Sequence, residues 1–589
     1  MANMKLTGGL LVALLGTTTA VGCNDEGDDV DGSGGKASAG SSNGGKSAGG
    51  TENKSGSNTG ASTNGGSGNS GEGPGGGTDS GGTSTGGTSD GGTDQGGEAG
   101  TGTEQGGEAG AGGSPEVPLA AVTELSSQVF TEASDLRGLF FTASGKLYAS
   151  GHLGASATTT DKKIVVGRFD KDGKADATFG IGGFVAINVV TQVPDPNDAT
   201  KFLNDGNEES LGIVELANGD LVVQVNIRDE NGLGMDVGLL KLDSAGAPVT
   251  TFGTGGLVRL TFGWAPTDDA SFPVGGTATA PSDQSWGIEL DPSSPTTQKI
   301  VVFGFGTAPL GSKTSGTNGV QRTDNDRYIA RVLASDGSID PAFNSGKVFS
   351  FNSGDIFSDG GRRGIVEQDG SIVSAGYTNY GAGLGNHILL IRLQPNGTLD
   401  TNFGFGIVNR GVLRTNPFVS DGGVAECYNV TRQSKGRYIT TGYGSATGTG
   451  AMSSYGYVTT TGPDLISVGI AADGKDLDYT FGNEATFVAQ SEEAGLAATE
   501  DRGRDVLALA DDQLVYAGRY GTDPAIYVVA PDGSFDPANG VGKLIRYTPL
   551  SGTTSHFFRV KASADGKRIA AATSNHADGA LLAVLKVGE

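Results

Sequence analysis

The chain has 589 residues, a formal net charge of −26 and 104 glycines. Two cysteines exclude a disulfide framework, and four histidines argue against a histidine-rich metal site. The acidity repels phosphate backbones, which excludes nucleic acid as a partner.

In chain order, Met1 to Lys5 is a short basic start and Leu10 to Leu15 a compact apolar segment. That segment is too short for a bilayer-spanning helix, which needs about 20 residues. Small residues then lead to Cys23, the layout of a signal peptide over 1–22. Ala20-Val21-Gly22-Cys23 resembles the lipobox of bacterial lipoproteins, departing from it at Ala20, where leucine is usual. The resemblance implies that Cys23 is lipidated and becomes the first residue of the mature chain, with a membrane as its partner through the lipid. An ordinary secreted protein cut after Gly22 is the alternative. Cys427 is left with no intramolecular partner, so no disulfide is expected.

Residues 23–117 are expected to be a disordered tether. The stretch is rich in Gly, Ser and Thr, holds 14 acids against 3 lysines, and has no aromatic residue. Such a composition buries too little apolar surface to offset chain entropy. As a flexible coil it spans about 50–60 Å root-mean-square. Its repeats, such as Gln-Gly-Gly-Glu-Ala-Gly at 95–100 and 105–110, require no binding motif.

Residues 118–589 form a repeat domain. A short strand-like segment recurs seven times, starting at Lys146, Asp220, Lys299, Ser371, Arg437, Gln513 and Arg568, with starts 55 to 79 residues apart. Each copy is rich in Val, Ile and Tyr and bounded by turn residues. Its sixth position is glycine in five copies, which predicts close backbone approach between packed sheets. A second strand follows, then a turn with a glycine and, six residues on, a phenylalanine. The pairs are Gly173 and Phe179, Gly246 and Phe252, Gly337 and Phe343, and Gly397 and Phe403. In the fifth unit Gly474 and Phe481 are seven apart, and the sixth keeps Gly533 but has Asn539 at the aromatic place. A further strand closes each unit, giving four strands per unit and an all-β propeller. The seventh unit ends at Glu589 without its fourth strand, while Leu119 to Phe130 precedes the first complete unit. The expected fold is therefore a seven-bladed β-propeller closed by an amino-terminal strand, which removes open sheet edges.

Asp336-Gly-Ser-Ile-Asp-Pro-Ala-Phe343, Asn396-Gly-Thr-Leu-Asp-Thr-Asn-Phe-Gly404 and Asp172-Gly-Lys-Ala-Asp-Ala-Thr-Phe-Gly180 resemble the delta-60 repeat. That family is best known from deltaproteobacteria and is expected to form propellers. The resemblance implies the fold and brings no catalytic residue or cofactor. Long glycine-rich lipoprotein tethers are typical of myxobacterial surface proteins.

The Asp-Gly turns are the most tempting chemistry. Asp170, Asp172 and Asp176 cluster, as do Asp473, Asp476 and Asp478, and calcium favours such oxygen-rich sites. No unit has the alternating acids and terminal glutamate of a calcium loop, and Asp-Gly is an effective turn by itself. No metal site is therefore assigned, with calcium the one cofactor held open. The phenylalanines read as blade-packing residues. Gly306 to Thr314 falls short of a phosphate loop because Ser312 separates Gly311 from Lys313. No Gly-x-Ser-x-Gly elbow occurs after residue 117, and His152, His387, His556 and His576 lie on different blades. No catalytic residue is assigned. Long inserts stand at 190–208, at 263–282 with Trp264, at 306–326, and at 444–463 with Tyr455 and Tyr457.

These features point to an exported, lipid-anchored monomer acting as a binding or structural module at the outer membrane or cell surface. Display on the periplasmic face is the other possibility. Its partner would be a glycan, peptidoglycan or protein. The alternatives are a secreted carbohydrate-active hydrolase or lyase, with carboxylates at the channel mouth, and a calcium-stabilised adhesion protein.

Overall fold

The computed structural model describes residues 120–588 except 155–160, 229–233, 263–281, 310–311, 313–321, 323, 355–356, 380–384, 405–410, 419–422, 446–462, 491–499, 548–553 and 575–578. The expected signal peptide of 1–22, Cys23 and the tether of 23–117 lie outside the described residues. So do Trp264, Tyr455, Tyr457, His576 and most of the 306–326 and 444–463 inserts.

Short apolar runs bounded by turns form strands buried on both faces. His387–Leu393 is typical, with every residue buried except Arg392. Such strands assemble into seven antiparallel four-stranded sheets arranged as the blades of a ring. Blade one comprises Asp135–Phe141, Leu147–Leu153, Lys163–Phe169 and Phe184–Ile187. In blades two to seven the first strands are Glu208–Glu215, Asp283–Leu290, Asp359–Val366, Val424–Arg432, Arg502–Ala508 and His556–Ala562. These first strands are innermost, each touching those of the neighbouring blades, and blade seven's touches blade one's. Every recurring segment noted in the sequence supplies its blade's second strand.

Blade seven is completed from the other end of the chain. Val122–Phe130 pairs antiparallel with Ala580–Val587, from Val122 opposite Val587 to Phe130 opposite Ala580. Gly588 N–H donates to the Ala121 carbonyl at 2.9 Å, extending the seam by one residue. The expected amino-terminal closure is what the ring has.

The glycine–phenylalanine motif joins neighbouring blades. Phe179, Phe252, Phe343, Phe403 and Phe481 are all buried. Each ring lies under the turn glycine of the next blade. A Cβ on Gly246 would come within 2.9 Å of the Phe179 ring, one on Gly337 within 2.8 Å of Phe252, and one on Gly397 within 2.7 Å of Phe343. Gly474 meets Phe403 and Gly533 meets Phe481 in the same way. Gly246 also has φ +90°, so glycine is required there by backbone and by space together. Gly173, whose preceding blade has no such phenylalanine, meets Val584 instead. Blade six carries the exposed Asn539 at the aromatic place, and Gly588 of blade seven accordingly faces nothing within 4 Å.

A cation lies over most of these rings. The Arg168 guanidinium lies 4.7 Å from the Phe179 centroid, Arg331 5.0 Å from Phe343, Arg437 5.8 Å from Phe481, and the Lys241 ammonium 5.5 Å from Phe252. The aspartate three residues before the ring holds the arginine, as in Arg168–Asp176 and Arg331–Asp340 at 2.8 Å and Arg437–Asp478 at 2.6 Å. Its second oxygen caps the turn by accepting from the backbone two residues on, at 3.0 Å for Thr178, Ala342 and Thr480. The Asp-x-x-Phe sequence is thus one unit in which the carboxylate fixes the turn and the cation over the ring.

Two details differ from expectation. The sixth-position glycines of the recurring segment are required first within their own blade, although the carbonyls of Gly304 and Gly442 also meet Gly361 and Gly503 of the next blade closely, as expected between packed sheets. Gly151, Gly304, Gly376, Gly442 and Gly518 each lie against a backbone carbonyl of the first strand of their own blade, those of Asp135, Gln284, Gly360, Glu426 and Arg502. Each pairs with the residue just before a bulge in that strand, where the backbones crowd. The 190–208 insert is not a plain loop: Val193–Asp195 and Asp198–Asn204 pair as a two-stranded hairpin outside the blades.

Phe343→Ala removes a fully buried ring from the seam between blades three and four, and should cost about 3–5 kcal/mol in urea unfolding. Asn539→Ala, at the equivalent exposed place in blade six, should change stability by less than about 0.5 kcal/mol. Equal effects would show that the ring is not what holds the seam.

Candidate functional site

The first strand of every blade contains a bulge. Register shifts fall between Leu136 and Gly138, Glu209 and Gly212, Ser285 and Gly287, Gly361 and Gly364, Cys427 and Asn429, Gly503 and Asp505, and Phe557 and Arg559. An extra residue in one strand cannot join the ladder, and its side chain is re-aimed. Because these strands are innermost, the skipped residues meet at the ring axis. They include Arg137, Leu211, Trp286, Arg362, Arg363, Tyr428, Arg504 and Phe558, all buried.

Together they fill the axis with alternating rings and guanidinium groups. Trp286 stacks on Phe558 at 5.8 Å between centroids and meets Tyr428 edge-on at 5.5 Å. Arg362 lies 4.0 Å from the Trp286 centroid and 4.8 Å from that of Tyr428. Arg504 covers Tyr428 at 4.4 Å, and Arg363 covers Phe558 at 4.5 Å. Each desolvated contact of this kind contributes up to about 2 kcal/mol. Arg362 is paired with Glu426 at 2.5 Å and Arg137 with Asp135 at 2.6 Å.

Arg363 differs from both. It donates to three backbone carbonyls, those of Trp286 at 3.0 Å, Phe558 at 2.9 Å and Arg504 at 3.3 Å. These are bulge carbonyls of blades three, seven and six, which the ladders leave without a strand partner and which need a donor when buried. One guanidinium from blade four therefore ties together bulges 77, 195 and 141 residues away in sequence. Burial first, then the neighbouring Arg559, lowers its proton affinity well below the usual arginine range.

Beside this hub the channel opens into a cavity of about 210 Å³, lined by first-strand residues of blades three to seven. Its polar lining includes Glu289, Asn429, Asp505 and Lys561. Glu289 Oε1 accepts from Arg559 Nη2 at 2.8 Å and from Lys561 Nζ at 2.7 Å. Asp505 accepts from the backbone of Val560 at 2.9 Å and Val506 at 3.0 Å, and from the Asn429 amide. Both carboxylates are already engaged by donors within the ring.

The acids raised in the sequence have structural partners. Asp170 accepts from the backbone of Asp172 at 2.9 Å and Lys174 at 3.0 Å, while Asp172 pairs with Arg568 at 2.7 Å. Asp473 and Asp476 cap their own turn through Lys475 at 3.0 Å and Leu477 at 2.8 Å. Among the described residues no group of three or more His, Cys, Asp or Glu side chains is placed to hold a metal ion. His152 packs against Asp135 at 2.9 Å, His387 meets the Gly385 carbonyl at 3.2 Å, and His556 lies by Phe558. The four histidines do not all fall on different blades as expected, since His556 opens the first strand of blade seven and position 576 falls between that blade's second and third strands in the chain. The Asp135 carboxyl would be raised by burial, but His152 and Arg137 hold it well below the usual range. Cys427 is buried and donates to the Asn429 carbonyl at 3.2 Å, and burial pushes its thiol up to about 12.

Two carboxyls at the starts of first strands are shifted upward by burial, Glu208 to about 8 and Asp359 to about 6. Each is bound to the loop arriving from the preceding blade. Glu208 accepts from Val189 at 2.9 Å and Val190 at 3.1 Å, and Asp359 from Ser353. Asp283 holds Phe262 N–H in the same manner at 2.8 Å. These acids pin crossovers between blades.

The axial residues were not singled out from the sequence. The available signal was a large residue followed by glycine in four first strands: Arg137-Gly138, Leu211-Gly212, Trp286-Gly287 and Arg363-Gly364. A Cβ on Gly138 would come within 3.0 Å of Gly212, and one on Gly212 within 3.3 Å of Gly287, so these glycines let the inner strands converge.

Residues 367–403 match a family model described as "Domain of unknown function (DUF5122) beta-propeller". No curated protein matches the chain. Similar solved structures include an α-L-arabinofuranosidase from Fusarium graminearum, with 10% identity, TM-score 0.36, and coverage of 67% of this chain and 96% of that one. The propeller domain of the Trilobed protease from Pyrococcus furiosus has 8% identity, TM-score 0.35, and coverage of 77% and 94%. The Cps50 (Swd1) propeller domain from Myceliophteria thermophila has 9% identity, TM-score 0.37, and coverage of 78% and 99%.

Arg363→Met removes the donor from three buried carbonyls and should cost about 3–5 kcal/mol in urea unfolding. A loss below about 1 kcal/mol would mean that the carbonyls find other donors. Asp359 binds its proton up to about pH 6 in the folded chain but releases it near 3.8 when unfolded. The folded state therefore holds the extra proton between those values, and stability falls as pH rises through the window, by roughly 3 kcal/mol. Asp359→Asn should flatten the measured stability profile between pH 4 and 6.

Proposed function

We propose that the protein is an exported, lipid-anchored propeller that serves as a binding or structural module at the cell envelope. The observation that carries this reading is the combination of a lipobox-like Ala20-Val21-Gly22-Cys23 with a ring whose charged groups are spent on holding it together. The aspartates of the turns cap backbone and anchor arginines, the acids at the strand starts pin crossovers, and the axis is filled. A rigid disc of this kind suits presentation of a face to a partner, and the inserts vary from blade to blade while the framework repeats.

The same geometry favours binding over hydrolysis. A general acid must release a proton to a leaving group, and a general base must accept one from water. At the cavity, Glu289 stands in two ion pairs and Asp505 holds two backbone N–H groups. Extracellular glycan, peptidoglycan and envelope proteins are the proposed partners. The match over 367–403 overlaps the delta-60-like segment at 396–404, which supports assigning the repeats to that type.

Protease shaving of intact cells tests this reading. Release of a protease-resistant fragment beginning near residue 118 is the expected result, with Cys23→Ala abolishing both palmitate labelling and membrane retention. A head recovered only from the cytosol, or a Cys23→Ala chain that stays on the membrane, would overturn it.

A further inference from the structure

The cavity beside the hub combines partly covered apolar groups with polar groups that solvent reaches. Leu290, Ile365, Val366 and Leu507 line it and are half-buried. Glu289, Thr431 and Lys561 line it too, and none of them is fully buried.

The charges of the wall cancel. Glu289 and Asp505 line the cavity with Lys561, and Arg559 bridges the two acids, its Nη2 2.8 Å from Glu289 and its Nε 3.6 Å from Asp505. Two carboxylates stand with two cations, so the wall favours neither an anionic nor a cationic ligand. Asp505 is buried and its oxygens are taken up by Val506, Val560 and Asn429, which leaves it no part in binding.

Polar capacity remains on the other groups. The Glu289 side chain is 23% exposed; its Oε1 accepts from both Arg559 and Lys561, and no described residue donates to Oε2. Lys561, 30% exposed, gives one of its three N–H groups to Oε1 at 2.7 Å and keeps two. The Thr431 hydroxyl has no partner among the described residues. An open acceptor and open donors therefore stand side by side. A carboxylate ligand cannot donate to Oε2 and an ammonium cannot accept from Lys561, whereas a hydroxyl does both. Neighbouring hydroxyls on a ring meet the two groups together, and the C–H face of that ring suits the apolar rim. The cavity of about 210 Å³ exceeds the about 150 Å³ in which benzene is held, leaving room for one ring with its hydroxyls.

We propose that the channel mouth binds one neutral sugar ring, free or at the end of a glycan, with vicinal hydroxyls on Glu289 and Lys561, a further hydroxyl on Thr431 and the C–H face on the apolar rim. This deepens the binding-module reading and rests on it in treating the ring as a binder.

The test is ligand-observed NMR titration of the purified full-length chain with the methyl glycosides of glucose, galactose, mannose and N-acetylglucosamine. Saturable binding of at least one is expected, with Kd of about 1 mM or tighter. Lys561→Met should weaken the best binder about tenfold, and Thr431→Val, which keeps the shape and removes the hydroxyl, about threefold. Should Lys561→Met fail to fold, Thr431→Val carries the test. Cyclohexanol, which offers a ring and a single hydroxyl, should bind at least about tenfold more weakly than the best sugar. No saturation by any of the four below about 10 mM, wild-type affinity in the folded variants, cyclohexanol binding equally, or tighter binding of the uronate or 2-amino counterpart of the best sugar would each overturn the inference. Undiminished binding of the matching disaccharide assigns a chain end, and its exclusion assigns the free sugar; either keeps the site. A chain that is released by shaving yet takes no sugar loses this inference alone. A chain that binds sugar but carries no lipid keeps it and loses the anchor.

Discussion

Arg363 is the group on which the centre of the ring depends. Seven bulges make room at the axis, but each also takes a backbone carbonyl out of its ladder. Satisfying several of those acceptors in a dry interior requires a donor with more than one fixed N–H, and guanidinium has that geometry. Its position over Phe558 lets the same group replace lost hydration with an aromatic face. The charge is held without a carboxylate in contact, so the axis is a site of stored electrostatic cost in an otherwise acidic protein.

Farther out, the restraints change in kind. The hub links residues far apart in sequence, whereas the phenylalanine locks link each of blades one to five only to its successor. A ring held in both ways resists sliding of one blade along the next and also spreading of the blades from the axis. Seven apolar clusters occupy the seven blade interfaces and supply the non-directional part of the cohesion. The polar contacts then decide register and spacing.

The periphery was legible in the sequence because it repeats. Gly246 and Phe252 recur with their neighbours at nearly fixed spacing, and a recurrent contact leaves a recurrent signature. Even the orphan segment at Leu119 to Phe130 was informative, since a ring of seven equal blades had one strand too few at its end. The axis was illegible for the opposite reason. Its positions are occupied by Arg137, Leu211, Trp286, Arg363, Tyr428, Arg504 and Phe558, seven residues with no common type, because each meets a different set of partners at the centre. The glycine of Gly442 and its equivalents was visible, but its cause lay across the blade, at a bulge that only three-dimensional register discloses. The hairpin at 193–204 escaped detection because its two strands are short and Pro194 and Asp195 do not carry a strand pattern.

The two seams of blade seven, with blade six and with blade one, are those without a phenylalanine lock. There the closing strand is fastened instead by its own hydrogen-bonded ladder, by Lys543 donating to the Val122 carbonyl at 3.0 Å, and by Ala120 N–H on Asp511 at 3.0 Å. The polypeptide that precedes Ala120 enters the ring through this strand. Any mechanical load carried along that polypeptide is delivered first to the strand that shuts the ring, at its Val122 end. Under the proposed anchoring, drag on the ring would work on the closure rather than on a blade interior, and the grip of Val122–Phe130 on Ala580–Val587 would be the joint that bears it.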